Sequence, residues 1–281
     1  MLILFPSEYP SHGRGRRFNP YSAHHFSSTY SAELGTNRQR SAELGTPRRG
    51  PDGDSVPVSD RRPRALDLFC GAGGASMGLH RAGFDVTGVD IRPQPRYPFR
   101  FVQGDALRPP FDLASFDFIW ASPPCQAYSV AAHGERSRGR KYPDLIGPVR
   151  EMLQKADAPY AIENVPGAPL VHPTKLRGTM FSGLKVIRER WFETSWFMMQ
   201  PPQVSEPRGL LTKHGYVSVA GNGTQGWAYK KGLRWLTADM RAAMGIDWMS
   251  RTELSQAIPP AYSEFIAHAA LAHTTGRPPC P

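Results

Sequence analysis

A cysteine set behind two prolines, with a glutamate 38 residues further on, is a pairing that can do covalent chemistry. In Ala121-Ser122-Pro123-Pro124-Cys125-Gln126 the prolines fix φ and remove two backbone donors, so a stiff turn presents Cys125 just after the apolar run Phe116–Ala121. Stiff presentation suits a nucleophile, whose sulfur must be held in a near-attack position. A structural cysteine more often sits inside a strand or helix. Glu163 follows Tyr160-Ala161-Ile162 and opens Glu163-Asn164-Val165-Pro166. A carboxyl in that place can act as an acid or hydrogen-bond donor when burial raises its pKa, although taken alone it reads more readily as a salt-bridged surface acid.

A second constellation lies upstream. Asp67-Leu68-Phe69-Cys70-Gly71-Ala72-Gly73-Gly74 sets a glycine-rich turn after an apolar run, which lets backbone approach a ligand where a Cβ would obstruct it. The same glycines also fit a plain strand-to-helix connection. Asp90 comes 23 residues after Asp67, near the spacing at which an acid grips ribose hydroxyls. Asp105 follows in Gln103-Gly104-Asp105-Ala106, where a carboxylate can accept from an exocyclic amine. Each acid could be a local cap, but their recurrence at successive strand ends favours an adenosine-type cofactor.

Positioning these groups requires strands that end beside them. Ala65–Phe69, Asp85–Val89, Phe116–Ala121 and Tyr160–Glu163 read as buried strands, and Gly74–Ala82 and Pro148–Lys155 as helices. Strands alternating with helices predict parallel pairing through right-handed crossovers, with ligands at the carboxyl ends of the strands.

The whole chain of 281 residues has 34 Lys+Arg against 24 Asp+Glu, a formal net charge of +10, which suits a polyanionic partner without naming one. Three cysteines are too few and too odd for a disulfide framework and point to a reducing compartment. No apolar run approaches the roughly 18–20 residues of a membrane span, so a cytoplasmic protein without membrane association is expected. Residues 1–63 mix Ser, Arg, Pro and Gly without periodicity, repeat Ser-Ala-Glu-Leu-Gly-Thr at Ser31–Thr36 and Ser41–Thr46, and read as a disordered basic tail.

In order and content, Asp67–Gly74, Pro123–Gln126 and Glu163–Val165 resemble the signature blocks of the DNA (cytosine-5) methyltransferase family, over roughly Arg64 to Ala272. Arg188-Glu189-Arg190 resembles the family's paired-arginine block, with Val186 where glutamine is usual. The resemblance implies an α/β fold built on a Rossmann-like S-adenosylmethionine-dependent methyltransferase sheet. It implies methyl transfer from S-adenosylmethionine to carbon 5 of cytosine in double-stranded DNA, through a Cys125 adduct on a base swung out of the duplex. Cys125, Glu163, Arg188 and Arg190 would carry the chemistry. Phe69, Gly71, Gly73, Gly74, Asp90, Ile91, Asp105, Ala106 and Pro123 would contact the cofactor.

The same resemblance divides the chain into a catalytic domain at 64–190, a small target-recognition segment at 191–235 and a returning C-terminal segment at 236–281. The recognition segment is short but rich in Trp196, Phe197, Gly221, Gly223, Trp227 and Tyr229, with Lys213, Lys230, Lys231 and Arg234. Ala127–Tyr142, with His133, Arg136, Arg138, Arg140 and Lys141, is predicted to be a mobile basic loop that closes over DNA. A monomer is expected, with room for a cognate restriction enzyme as partner. Methylation of RNA, a silent binding module of the same fold and a small-molecule methyltransferase stand as rivals.

Overall fold

The central sheet runs β3-β2-β1-β4-β5-β7-β6. Its strands are β1 (Arg64–Leu68), β2 (Asp85–Asp90), β3 (Arg100–Gln103), β4 (Phe118–Ala121), β5 (Tyr160–Asn164), β6 (Thr174–Leu176) and β7 (Arg190–Thr194). The helices are α1 (Gly74–Arg81), α2 (His133–Ser137), α3 (Ile146–Lys155), α4 (Leu210–Lys213), α5 (Thr237–Met244), α6 (Arg251–Gln256) and α7 (Pro260–Thr275). This computed structural model describes residues 61–202, 205–206, 208–219 and 235–275. The expectations for residues 1–60, for Gly221, Gly223, Trp227, Tyr229, Lys230, Lys231 and Arg234, and for Cys280 lie outside them.

β3, β2, β1, β4 and β5 are mutually parallel, as the alternation of elements predicts. β7 departs from that expectation: it enters the sheet antiparallel to β5, and β6 pairs antiparallel to β7. The boundary expected at 190 therefore falls inside a strand, because Trp191–Thr194 hydrogen-bond into the central sheet rather than into a separate segment. Chain order reverses between β1 and β4, which opens the crevice where doubly wound sheets bind ligands. The architecture is the Rossmann-like α/β sheet expected.

Both faces of the sheet are covered, so its strands are apolar on both sides. Phe118 and Trp120 of β4 pack with Phe84, Phe192, Tyr262 and Ile266 on one face. Ile119 and Ala121 join Leu66, Leu68, Val149 and Leu153 on the other. A third cluster gathers Val186, Val217, Val219, Met240, Met244, Ile246 and Met249. Val186, standing where the resemblance would put glutamine, is fully buried in that cluster, which a hydrocarbon side chain suits and an amide does not.

α1 opens on Gly74 and carries Gly78 in its interior, where a glycine weakens a helix by about 1 kcal/mol relative to alanine. Packing explains them. A Cβ on Gly74 would lie 2.7 Å from the Ile258 carbonyl oxygen, and one on Gly78 would lie 2.1 Å from both the Pro260 carbonyl oxygen and Ser263 Oγ. The two helices meet backbone to backbone, and Ser263 Oγ donates to the Ala75 carbonyl at 2.8 Å. The C-terminal segment thereby fixes the helix that follows the glycine turn. Gly78→Ala forces α1 and α7 apart and lowers stability by about 3 kcal/mol, the upper end for overpacking. A fall in urea midpoint with unchanged slope checks this.

Candidate active site

Each functional group read in the sequence falls at the carboxyl edge of the parallel strands, and the geometry there is set by neighbouring backbone. Beyond β4 the Ser122 N–H donates to the Leu68 carbonyl at 3.1 Å, which ties the proline turn to the end of β1. The Asn164 amide donates to the Pro123 carbonyl at 3.0 Å, and its own oxygen accepts from Val165 N–H at 2.9 Å. On the far side, Tyr128 and Ser129 N–H groups donate to the Cys125 carbonyl at 3.0 and 2.8 Å. Cys125 is held from both ends and half-buried.

Glu163 lies in β5 opposite Phe192 of β7, and Arg190 sits two residues before Phe192 on the same face. The antiparallel turn of β7 thus brings the start of that strand beside the end of β5. Arg190 Nε meets Glu163 Oε1 at 3.0 Å, with both side chains nearly out of solvent. Burial pushes the Glu163 carboxyl up, against the opposing pull of Arg190 and a hydrogen bond from Ser122. Burial likewise pushes the Cys125 thiol up, the charge of Glu163 adds to that, and Arg190 and Arg188 act in the other direction. Charge from Arg190 reaches Cys125, but burial outweighs it.

Arg188 is buried beside this pair in a different capacity. Its two terminal nitrogens donate to the carbonyls of Val219 at 2.9 Å and Ser255 at 2.8 Å, while Nε has no hydrogen-bond partner. Tyr262 Oη donates to the Arg188 carbonyl at 2.5 Å. Desolvation, reinforced by Arg190, pushes the Arg188 guanidinium down to about 9. Arg188 ties residues of the expected recognition and C-terminal segments to the active centre, a link no motif announces because its acceptors are backbone carbonyls.

The cofactor set gathers at the same edge. Gly71 N–H donates to Asp90 Oδ2 at 3.0 Å and Arg92 N–H to Asp90 Oδ1 at 2.9 Å, so local backbone orients the carboxylate. Asp105 is exposed and accepts from Leu107 N–H at 2.9 Å through one oxygen. Ile91 is 68% exposed, an apolar side chain left in the open beside Asp90. Phe69 takes a left-handed φ of +60°, while Ala106 is buried.

The glycines divide by what surrounds them. A Cβ on Gly73 would meet Pro98 and Tyr97 at 3.0–3.2 Å, and Gly74 abuts Ile258, whereas a Cβ on Gly71 would find nothing within 4 Å. Gly71 alone of the three turn glycines opens onto free space, and Gly73 and Gly74 answer to protein neighbours. Two carboxylates at neighbouring strand ends, an exposed apolar side chain at Ile91 and the open space at Gly71 are a set of groups that could hold an adenosine moiety. Pro123 stands across the crevice in the turn tied to Leu68.

The loop after Cys125 contains a 3₁₀ turn at Val130–Ala132 and α2, and Arg136 donates to the carbonyls of Gln126 and Ser129 at 2.7 and 2.8 Å. Tyr142 donates to Glu135, which also pairs with Arg140 at 3.4 Å. Near the opposite edge of the turn, Trp248 Nε1 donates to the Ala72 carbonyl at 2.8 Å. Among the described residues no helix is long and apolar enough to cross a membrane, and no His/Cys/Asp/Glu group could hold a metal ion.

The Rossmann-like sheet thus carries a cysteine, a buried glutamate and an arginine together at its carboxyl edge. Residues 64–184 match the family of C-5 cytosine-specific DNA methylases, so over that segment the resemblance read in the sequence is borne out. The chain is 33% identical over 124 residues to the Type II methyltransferase M.XorII of Xanthomonas oryzae pv. oryzae, an alignment covering 38% of this chain and 29% of that protein. It is 30% identical over 125 residues to the Type II methyltransferase M.AgeI of Thalassovita gelatinovora, covering 37% and 28%. The chain thus spans under a third of either relative. Among solved structures, the S. pombe Dnmt2 methyltransferase shares 13% identity at a TM-score of 0.45, covering 76% of this chain and 99% of that one.

The opposing charges around Cys125 make a testable pair. Glu163→Gln removes the carboxylate that disfavours the thiolate and leaves Arg190, so alkylation of Cys125 by iodoacetamide shifts to lower pH and runs several-fold faster at pH 7.5. Peptide mass spectrometry separates Cys125 from buried Cys70. An unchanged or upward shift contradicts the arrangement.

Proposed function

We propose that this protein is a DNA (cytosine-5) methyltransferase that uses S-adenosylmethionine. The observation that carries the reading is the Arg190–Glu163 ion pair at 3.0 Å beside a turn-held Cys125. The match of residues 64–184 to the cytosine-specific family and the adenosine-shaped donor set around Gly71 and Asp90 support it.

Carbon 5 of cytosine is a weak nucleophile, and addition at carbon 6 activates it. Cys125 loses its proton to solvent, and the thiolate sulfur bonds carbon 6. Glu163, whose carboxyl burial pushes up, takes a proton from solvent as the base enters and passes it to ring nitrogen 3, which neutralises the electron density pushed into the ring. Arg190 holds the Glu163 carboxyl in place and favours the Cys125 thiolate. Bound at Phe69, Gly71, Asp90, Ile91, Asp105 and Pro123, S-adenosylmethionine would supply an electrophilic methyl group. Solvent water then takes the proton from carbon 5, the carbon–sulfur bond breaks with Cys125 leaving as the thiolate, and ring nitrogen 3 returns its proton to Glu163, which restores the aromatic ring.

Both faces of a base in duplex DNA are covered by its neighbours, so the target cytosine must be swung out at a cost of a few kcal/mol. The basic loop 127–142, tied by Arg136 to the nucleophile's turn, closes over the DNA in this reading. Arg188 acts as a positioning residue, linking the target-reading segment that follows β7 to the active centre. The protein works as a monomer in the cytoplasm of a bacterial or phage-infected cell, with a cognate restriction enzyme as its natural companion.

The test is expression in cells lacking cytosine methylation, with Cys125→Ser in parallel, followed by sequencing that distinguishes 5-methylcytosine. The reading expects methylation at one short motif, lost in the variant. Methylation confined to cellular RNA moves the substrate to RNA, and none in either nucleic acid from folded protein overturns the reading.

A further inference from the structure

The mechanism above leaves one buried polar cluster unused. Asp67, the fourth residue of β1, is 0% exposed; its Oδ2 accepts from Ser76 Oγ, and its Oδ1 has no hydrogen-bond partner. Ser76, equally buried in the first turn of α1, lies with Oγ 2.7 Å from Tyr97 Oη. Tyr97 comes from the connection between β2 and β3, so one chain of side-chain hydrogen bonds joins three segments that converge under the glycine turn.

The surroundings are built to admit that tyrosine. A Cβ on Gly88 of β2 would lie 2.3 Å from Tyr97 Oη, so only glycine lets the phenol pass over the strand. A Cβ on Gly73 would lie 3.1 Å from the Tyr97 ring. Phe99 and Phe101 hold the ring from the other side, with centroids 5.9 and 5.8 Å away. The neighbouring Arg96 pairs with Glu253 of α6 at 3.1 Å, anchoring the same connection to the C-terminal segment.

We propose that Tyr97, acting through Ser76 on Asp67, is a positioning residue that fixes the glycine turn and the Asp90 strand end in the spacing the adenosyl cofactor requires. The inference rests on the cofactor reading above. A backbone bond already crosses the same gap, from Gly71 N–H to Asp90 Oδ2, and the tyrosine braces it from below. Burial, followed by the charges of Asp90 and Glu163, pushes Asp67 up to about 7, which suits a carboxyl that shares a proton with Ser76. Cys70 and Tyr97 are its other titratable neighbours.

The experiment measures binding of S-adenosylhomocysteine to the full chain by calorimetry, for wild type, Tyr97→Phe, Ser76→Ala and the double variant, with thermal midpoints alongside. Tyr97→Phe keeps the ring and removes only the hydroxyl; Ser76→Ala breaks the same chain should the phenylalanine variant fail to fold. Each single variant is expected to weaken binding about tenfold, and the double variant no more than the weaker single, since one chain is broken once. In methylation assays the loss falls on KM for S-adenosylmethionine with kcat retained. Single variants that bind within twofold of wild type while melting earlier give the network a structural role only and overturn the proposal, as do additive losses. Wild-type protein that binds no S-adenosylhomocysteine removes the cofactor reading itself, a failure distinct from the other two.

Discussion

An arginine and a glutamate share a nearly dry pocket at 3.0 Å, and most of the architecture around them serves to make that tolerable. Two charges taken out of water cost several kcal/mol each, recovered only when they face each other in good geometry. β7 supplies the geometry by running antiparallel into a parallel sheet, so that its first residue stands beside the last residues of β5. Phe192, two residues on, packs against Trp120 and Tyr262 and pins the strand. Arg188 just before it is fastened by carbonyls from two later segments. The fold alone sets the pair in place, with its orientation fixed by neighbours from β5, β7 and the C-terminal helices.

The glycine turn tells a related story about division of labour. Gly73, Gly74, Gly78 and Gly88 make room for other parts of the protein: Tyr97 and Pro98, Ile258, Ser263, and Tyr97 again. Gly71 alone of the turn glycines opens onto free space. The C-terminal segment, through Trp248 on the Ala72 carbonyl and Ser263 on the Ala75 carbonyl, closes the turn from outside. The glycine turn and the C-terminal helices are one packed unit.

Much of this was legible in the sequence, and the parts that were not have a common cause. β1, β2, β4 and β5 announce themselves as short apolar runs bounded by turn signals, and Cys125 and Glu163 stand where those runs end. β6 has three residues with Lys175 exposed in the middle, too short for periodicity, and β7 carries Arg190 and Glu193 within five residues, so neither reads as a buried strand. Glu193 is acceptable inside because Arg150 meets it at 2.7 Å from α3, a pairing 43 residues distant that no local pattern reveals. The antiparallel entry of β7, the backbone contacts of Arg188 and the Tyr97–Ser76–Asp67 chain all depend on tertiary neighbours. Local spacing carries Cys125, Glu163 and the glycine turn, and long-range pairing carries their supports.

The central claim is that Cys125 bonds carbon 6 of cytosine with Glu163 as its acid. Duplex DNA copied with 5-fluorocytosine in place of cytosine tests it directly, because fluorine at carbon 5 cannot leave as a proton does and the adduct persists after methyl transfer. Incubation with S-adenosylmethionine, digestion and mass spectrometry should find a methylated fluorocytosine nucleotide on the Cys125 peptide, absent in Glu163→Gln. An adduct on Cys70, or none from protein that binds both DNA and cofactor, would contradict the account.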